Sequence, residues 1–117
     1  MTGPAMPRPD LWPGDIVWAD LAPTVGREQS GRRPALVVAN GDYLELVTQL
    51  AVVVPLTTRY RGWDNHVEVG AHLPRPSWAM TEQVRTVDRR RLGGLIGGAD
   101  DETMDAVQVW LVDFLDL

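Results

Sequence analysis

The chain has 117 residues, which leaves room for one small domain, and it contains no Cys, so disulfides, thiol catalysis and cysteine-ligated zinc are excluded. No apolar run approaches ~20 residues and the first residues lack the pattern of a signal peptide, so neither a membrane span nor a leader is predicted. The cytoplasm is the expected location.

The net charge of −5 argues at first against a nucleic-acid partner, but the charge is unevenly distributed. Residues 100–117 hold six acids and no basic residue, which leaves the other 99 residues with eleven Arg against ten acids. Every basic residue is Arg, a side chain that binds phosphates and stacks on bases. A GC-rich coding bias produces the same all-Arg composition and is favoured as its cause, so composition alone does not select RNA.

The N-terminal half is predicted to contain an arm, a polar loop and a short helix. Residues 1–12, with three Pro among small and polar residues, predict a disordered or extended arm, and residues 13–117 are assigned to the domain. Strands predicted over residues 14–21 and 34–39 frame a loop rich in Arg, Glu and Gln. A short helix is predicted over residues 43–50 with Asp42 as its N-cap.

The apolar run over residues 50–56 predicts a buried strand. Pro55 lacks an amide donor, so an edge or bulge is expected there, turning Thr57 and Thr58 toward a cleft. The remaining short elements predicted are strands over residues 66–69, 77–87 with a kink at Gln83, and 95–96 between flexible glycines, and a helical turn over residues 88–92.

The last segment predicts an amphipathic helix that begins after Asp100 as N-cap. Its apolar residues recur at helical spacing and form one stripe, which is typical of core contact: Met104, Val107, Leu111, Phe114 and Leu115. Several short strands closed by one helix predict an α+β fold built as a small barrel.

The loop over residues 59–65 interleaves cationic and aromatic side chains, namely Arg59, Tyr60, Arg61 and Trp63. Such a loop can hold single-stranded bases, each stack contributing ~1–3 kcal/mol. An ordinary solvated loop tip is an equally good interpretation of the same residues.

No metal site and no cofactor are predicted. His66-x-Glu68 resembles half of a zinc deaminase signature, but the cysteine pair that completes it is absent. His66 and His72 are interpreted as structural or solvent-exposed, and no Ser stands in a G-x-S-x-G setting.

Three spaced motifs occur in order along the chain: G-D-I-x-W-x-D-L-x-P with G-x-E-Q-x-G-x-R-P over residues 14–34, AVVVPLTT over 51–58, and EQVRTVD over 82–88. Together they resemble the MazF/PemK (Kid-like) toxin family, over residues 13–117. The resemblance implies an SH3-like β-barrel with a C-terminal α-helix. It also implies a metal-independent endoribonuclease that cleaves single-stranded mRNA through 2′-hydroxyl attack, acts as a homodimer and is neutralised by a MazE-like antitoxin.

By the same resemblance, Arg33 and Thr57 match the family's catalytic Arg and Thr. Arg33 can hold the scissile phosphate through two hydrogen bonds and Thr57 can donate one more. Because a guanidinium holds its proton tightly, charge stabilisation is favoured over general acid catalysis for Arg33. Glu28 and Glu82 can each take the 2′-hydroxyl proton or hold Arg33 in place, and the second role is favoured for each.

The predicted RNA contacts come from the two loops and the EQVRTVD motif, and they are Arg27, Gln29, Thr58, Arg59, Arg61, Trp63, Gln83 and Arg85. Kid-like members carry His where this chain has Arg27, so a His-based proton relay is not assumed. The base preference, the antitoxin and the choice between growth arrest and defence stay open.

Two other classes are weighed against this hypothesis. CcdB-like toxins share the small-barrel fold but poison DNA gyrase without chemistry, through a Trp-Gly-Ile ending. This chain ends in Asp-Phe-Leu-Asp-Leu and keeps Arg33 and Thr57, which disfavours that reading. The third possibility is a non-catalytic RNA-binding domain.

Overall fold

The computed structural model of the protein describes residues 11–21 and 31–117. Within these residues, one antiparallel sheet contains seven strands: β1 (Asp15–Asp20), β2 (Arg32–Val37), β3 (Leu50–Thr57), β4 (His66–Glu68), β5 (Trp78–Met80), β6 (Arg85–Asp88) and β7 (Leu92–Gly98). The helices are α1 (Gly41–Leu46) and α2 (Asp101–Leu115), with single 3₁₀ turns at Thr81–Gln83 and Arg89–Arg91.

Strand β3 is the centre of the sheet. The order is β4-β5-β3-β2-β1-β7, and β6 pairs with the first half of β3 while β5 pairs with its end. The two end strands of this order, β4 and β7, do not pair, so the sheet does not close. The predicted α+β fold with a small barrel-like sheet and a C-terminal helix is therefore confirmed, as an open barrel.

Of the two alternatives predicted at Pro55, a sheet edge or a bulge, the edge is wrong. Pro55 pairs with Ala35 of β2, and on the other side of β3 it falls in the gap where the neighbouring strand changes. The last β6 pair is Val53 with Arg85, and the first β5 pair is Leu56 with Ala79. A missing amide donor is tolerated in this gap.

Three local predictions need correction. Asn40, not Asp42, caps α1, because its Oδ1 accepts the Tyr43 amide proton at 2.8 Å. The strand expected over residues 77–87 is divided by the first 3₁₀ turn into β5 and β6. The glycines around Leu95 are not flexible joints, since they form part of the seven-residue strand β7.

The sheet has an apolar cluster on each face. One cluster contains Val17, Val37 and Val53, and the other contains Ile16, Leu36 and Leu56, so successive residues of each strand alternate between them. Burial on both faces explains why these strands read as continuous apolar runs rather than as a polar–apolar alternation.

Leu11 belongs to the first of these clusters and is only 6% exposed. The sequence analysis placed it in an extended arm, which is wrong for this residue. The Trp12 amide next to it donates to Asp15 at 3.0 Å, so the ordered domain begins no later than Leu11. Residues 1–10 of the predicted arm lie outside the described residues.

Helix α2 begins as predicted. The Asp100 side chain accepts the Thr103 amide at 2.9 Å and the Thr103 hydroxyl at 2.6 Å, and these hydrogen bonds lower the Asp100 pKa. Val107 is buried against the sheet, but Phe114 and Leu115 are exposed, so the apolar stripe reaches the core only along its first part. In the part of the chain that the structure describes, no helix is long and apolar enough to cross a membrane.

Candidate functional site

A row of side chains crosses the sheet where β3 ends. The register of β2 against β3, continued by two residues, places Arg33 opposite Thr57. Thr57 pairs with Trp78 of β5, and Trp78 pairs on its other side with Glu68 of β4. Directly opposite residues of antiparallel strands project from the same face, ~5 Å apart. Arg33, Thr57, Trp78 and Glu68 therefore form one lateral row, called here the site row.

Arg33 is exposed and is the second residue of β2. Its Nη1 donates to the Leu56 carbonyl oxygen over 3.5 Å, which is a long and weak hydrogen bond. The guanidinium is thus oriented toward the end of β3 while most of its donors stay available. This fits a side chain that binds an anion from solution.

Thr57 is half-buried, and its Oγ1 accepts the Arg59 amide proton at 3.1 Å. The amide fixes the oxygen and occupies one acceptor position, so the hydroxyl proton can be donated elsewhere. The hydrogen bond also ties the start of the Arg59–Trp63 loop to the strand. Arg33 and Thr57, predicted from separate motifs, are brought together by the pairing of β2 with β3.

The site row includes one aromatic residue, Trp78, and a second, Tyr60, packs beside it. Tyr60 belongs to the loop predicted to hold bases, whereas Trp78 was not predicted as a site residue. The Tyr60 ring packs on Trp78 with centroids 5.2 Å apart and planes tilted by 41°. Trp78 lies 21 residues beyond Thr57, in a different motif, and only the strand register makes them neighbours. The aromatic–cationic composition of the loop was the one signal that pointed toward Tyr60.

The rest of this loop carries the predicted mixture of charge and ring surface. The Arg61 guanidinium lies over the Trp63 ring, 5.4 Å from its centroid, and Trp63 also packs on His66 at 4.8 Å. Trp63 remains 48% exposed, so a stacking face is available. Thr58 and Arg59 are exposed at the loop's start.

Glu82 is held by a hydrogen-bond cluster on the other side of that loop. Asn65 Nδ2 donates to Glu82 Oε1 at 2.8 Å, and His66 Nε2 lies 3.0 and 3.2 Å from the two carboxylate oxygens. Thr81 donates its hydroxyl to the Asn65 carbonyl at 2.7 Å and completes the cluster. The sequence analysis favoured Glu82 as a holder of Arg33, whereas the bonds seen here hold the His66–Asn65 segment.

The partners of Glu82 lower its pKa below the ordinary value of 4.5. Partial burial is the largest single influence and raises the pKa, but the hydrogen bonds from His66, the Glu82 amide and Asn65, with the electrostatic attraction of the His66 ring, together outweigh it. A carboxylate with a lowered pKa is a weaker proton acceptor. This environment suits an anchoring role better than general base catalysis.

His66 is a structural residue, as predicted, and its side chain is 0% exposed against 32% for Glu82. Its Nδ1 is buried without a hydrogen-bond partner among the described residues. The hydrogen-bond network therefore assigns the ring proton to Nε2, which donates to Glu82, because a proton on Nδ1 would be buried without an acceptor. His72, by contrast, is exposed.

The other predicted contacts fall outside the site row. Arg85 is exposed on β6 opposite Val53, and Gln83 donates weakly to Glu82 at 3.4 Å. Arg27, Glu28 and Gln29 lie outside the described residues. Within residues 11–21 and 31–117, no group of three or more His, Cys, Asp or Glu side chains is placed to hold a metal ion.

Arg32 occupies the opposite face from Arg33. Its guanidinium lies over the Trp18 ring, 5.1 Å from the centroid, and it pairs in register with Asp20. Of the two adjacent arginines, Arg32 therefore packs against β1 and Arg33 belongs to the site row.

The site row combines a cation and a hydroxyl donor with aromatic surface. This arrangement suits a nucleic-acid phosphate and its base.

Comparisons with known proteins find relatives over most of the chain. A model of the PemK-like, MazF-like toxin of type II toxin–antitoxin systems matches residues 13–115. The chain is 40% identical over 99 residues to endoribonuclease EndoA of Bacillus subtilis, covering 80% of this chain and 84% of that protein. It is 35% identical over 85 residues to the endoribonuclease toxin MazF of Escherichia coli K12, covering 73% of each.

Solved structures show the same fold. The crystal structure of MazF from Deinococcus radiodurans is similar with a TM-score of 0.78 and 31% identity, over 92% of this chain and 97% of that chain. A MazE–MazF complex from the same organism gives a TM-score of 0.77 and 31% identity, over 92% and 96%.

Proposed function

Because the chain belongs to the PemK-like, MazF-like toxin family of type II toxin–antitoxin systems, we propose that it is an endoribonuclease that cleaves single-stranded RNA. The observation that supports the proposal is the contact of the Arg33 guanidinium with the Leu56 carbonyl, together with a β2–β3 register that, continued by two residues, sets Arg33 opposite Thr57. Motifs from two parts of the chain thereby meet as a guanidinium and a hydroxyl that can grip one phosphate.

The reaction is a transfer of the phosphate to the substrate's own 2′-hydroxyl. The 2′-oxygen bonds to phosphorus, the bond from phosphorus to the 5′-oxygen breaks, and the products are a 2′,3′-cyclic phosphate and a 5′-hydroxyl. The 2′-hydroxyl gives up its proton to a base, and the leaving 5′-oxygen takes one up. RNA supplies the nucleophile, so the chain supplies positioning, charge and proton transfer.

Arg33 stabilises the charge that gathers on the non-bridging oxygens in the transition state, and Thr57 donates one hydrogen bond to the same group. Glu82 serves as a positioning residue that anchors the His66–Asn65 end of the aromatic loop. Glu28 keeps the two roles that the resemblance implies, accepting the 2′-hydroxyl proton or holding Arg33 in place, with the second favoured.

We also propose an antitoxin partner and a homodimer. The relatives include toxins crystallised with an antitoxin, and an acidic, extended segment of such a partner suits the exposed Arg33, Arg59 and Arg61. Helix α2 has exposed apolar side chains, among them Val109 and Leu115, and a dimer interface could bury this surface. The antitoxin segment should protect the Arg59–Trp63 loop from amide exchange.

The proposed activity is tested by incubating the purified protein with a long single-stranded RNA and mapping the new ends. Discrete fragments that begin with a 5′-hydroxyl are expected. Binding without cleavage would instead favour a non-catalytic RNA-binding domain, the alternative weighed from the sequence.

A further inference from the structure

The aromatic pair of the site row is open to solvent beside the candidate phosphate site. Trp78 lies directly opposite Thr57, so the two side chains stand ~5 Å apart on the same face. Tyr60 packs on Trp78 and is 68% exposed, while Trp78 is half-buried. A rigid ring surface thus adjoins the hydroxyl that the proposed reaction uses.

Charge gives the site row a direction. Arg33 lies on one side of Thr57, and Trp78 followed by Glu68 lies on the other. Glu68 is exposed, and its carboxylate repels phosphate but accepts hydrogen bonds from the amino and imino groups of bases. A phosphate is therefore attracted to the Arg33 side, and the surface between Thr57 and Glu68 suits a base.

We propose that Tyr60 and Trp78 form a stacking subsite for the base of one nucleotide that adjoins the scissile phosphate. This subsite rests on the proposed RNA cleavage, and it makes the aromatic pair a determinant of which nucleotide stands beside the cut. Stacking on a protein ring tolerates any base, whereas the neighbouring Glu68 favours bases that present an N–H donor toward it. Loss of the stack should weaken binding about fivefold to a hundredfold.

A purely structural role for the pair makes a different prediction. If Trp78 only braced Tyr60 and the loop, its removal would lower affinity equally for every substrate, because the loop would be misplaced whatever the RNA carried. If a base stacks on it, the loss should vanish for an RNA that lacks that base. Coupling between the protein change and the RNA change separates the two roles.

The experiment uses a short RNA that spans a mapped cleavage site, with a 2′-deoxy nucleotide at the cut so that binding is measured without turnover. Abasic versions remove the base on the 5′ side or on the 3′ side of the cut. Dissociation constants are measured for the wild type, Trp78→Ala, Tyr60→Ala and Trp78→Phe, which keeps a ring. Trp12→Ala is the matched control, since Trp12 is 63% exposed and precedes β1 at the end of that strand away from the site row.

Trp78→Ala and Tyr60→Ala should each weaken binding to the intact RNA, Trp78→Phe should recover most of it, and Trp12→Ala should leave it unchanged. With one of the two abasic RNAs, the alanine variants should bind as the wild type does. Equal losses on all three RNAs would overturn the stacking subsite. If Trp78→Ala does not fold, Tyr60→Ala still tests the subsite, because Tyr60 is largely exposed and its removal should leave the fold intact. A wild type that cleaves RNA while these variants bind it normally would leave the proposed function intact and reject only the subsite.

Discussion

The Nη1 atom of Arg33 lies 3.5 Å from the carbonyl oxygen of Leu56, the residue that precedes Thr57. This contact joins the R-P motif of β2 to the P-L-T motif of β3. It is too long to hold the guanidinium firmly, so Arg33 is aimed at the end of β3 while its donors stay available to a phosphate. The proposed chemistry depends on this combination of orientation and freedom.

Arg33→Ala should lower kcat by about 10²–10³ without unfolding the protein, because an exposed guanidinium adds little to packing but stabilises charge in the transition state. Arg33→Lys should recover only part of the rate, since an ammonium lacks the planar fork. Arg32→Ala is the control, as it removes one Arg from the opposite face of the same strand. A folded Arg33→Ala protein that cleaves at the wild-type rate would contradict the catalytic role proposed for Arg33.

Thr57→Ala should cost less, about fivefold in kcat/KM, because one neutral hydrogen bond contributes ~1 kcal/mol and the Arg33 charge is still present. Thr57→Ser should retain activity, because it keeps the hydroxyl that accepts the Arg59 amide. Kinetics of the two variants on one RNA measure the difference. A larger loss for Thr57→Ala than for Arg33→Ala would reverse this ranking.

Glu82→Gln tests whether Glu82 anchors or acts as a base. If Glu82 were the general base, its loss would lower the cleavage rate by about 10²–10⁴. If it only anchors the loop, the amide oxygen that Glu82→Gln introduces can still accept the hydrogen bond from Asn65. We therefore expect cleavage at pH ~7 to fall by less than about tenfold. A folded Glu82→Gln protein that loses more than a hundredfold would restore the base role.

The same variant should change how stability depends on pH. The folded state lowers the Glu82 pKa, so its contribution to the free energy of unfolding is present above its ordinary pKa of 4.5 and is lost as pH falls through the lowered value. Glu82→Gln cannot ionise, so its stability should fall less than that of the wild type between pH ~6 and pH ~3. Urea unfolding at several pH values measures both slopes, and equal slopes would contradict the lowered pKa.

Leu11→Ala should lower the free energy of unfolding by about 2–4 kcal/mol, because Leu11 is 6% exposed within the apolar cluster of β1, β2 and β3. Trp12→Ala, at an exposed neighbouring position, should change it by less than about 1 kcal/mol. Deleting residues 2–10 should leave stability and cleavage unchanged, since the family match begins at residue 13. If the deletion lowered the free energy of unfolding, residues 2–10 would contribute to the stability of the domain.

Local signals predicted some parts of the molecule well. Asp100 and the apolar spacing after it predicted the start of α2, because a helix start depends on residues close together in the chain. The motifs that contain Arg33 and Thr57 are also local, and the catalytic roles of these two residues stay predictions. The partners of Glu82 and Trp78 could not be predicted in this way. His66 is 16 residues from Glu82, and Thr57 is 21 from Trp78, so those contacts depend on strand register, which follows from packing of the whole sheet.

The central claim is that RNA itself supplies the nucleophile at a phosphate held by Arg33 and Thr57. The most direct measurement is cleavage of one RNA, with and without a 2′-deoxy nucleotide at the cut, in the presence of EDTA, with products identified by mass spectrometry. We expect the all-ribose strand to be cut in EDTA to a 2′,3′-cyclic phosphate, or its 3′-phosphate product, and a 5′-hydroxyl, while the 2′-deoxy strand binds but stays intact. Cleavage of the 2′-deoxy strand, a 5′-phosphate end or a strict need for magnesium would contradict it.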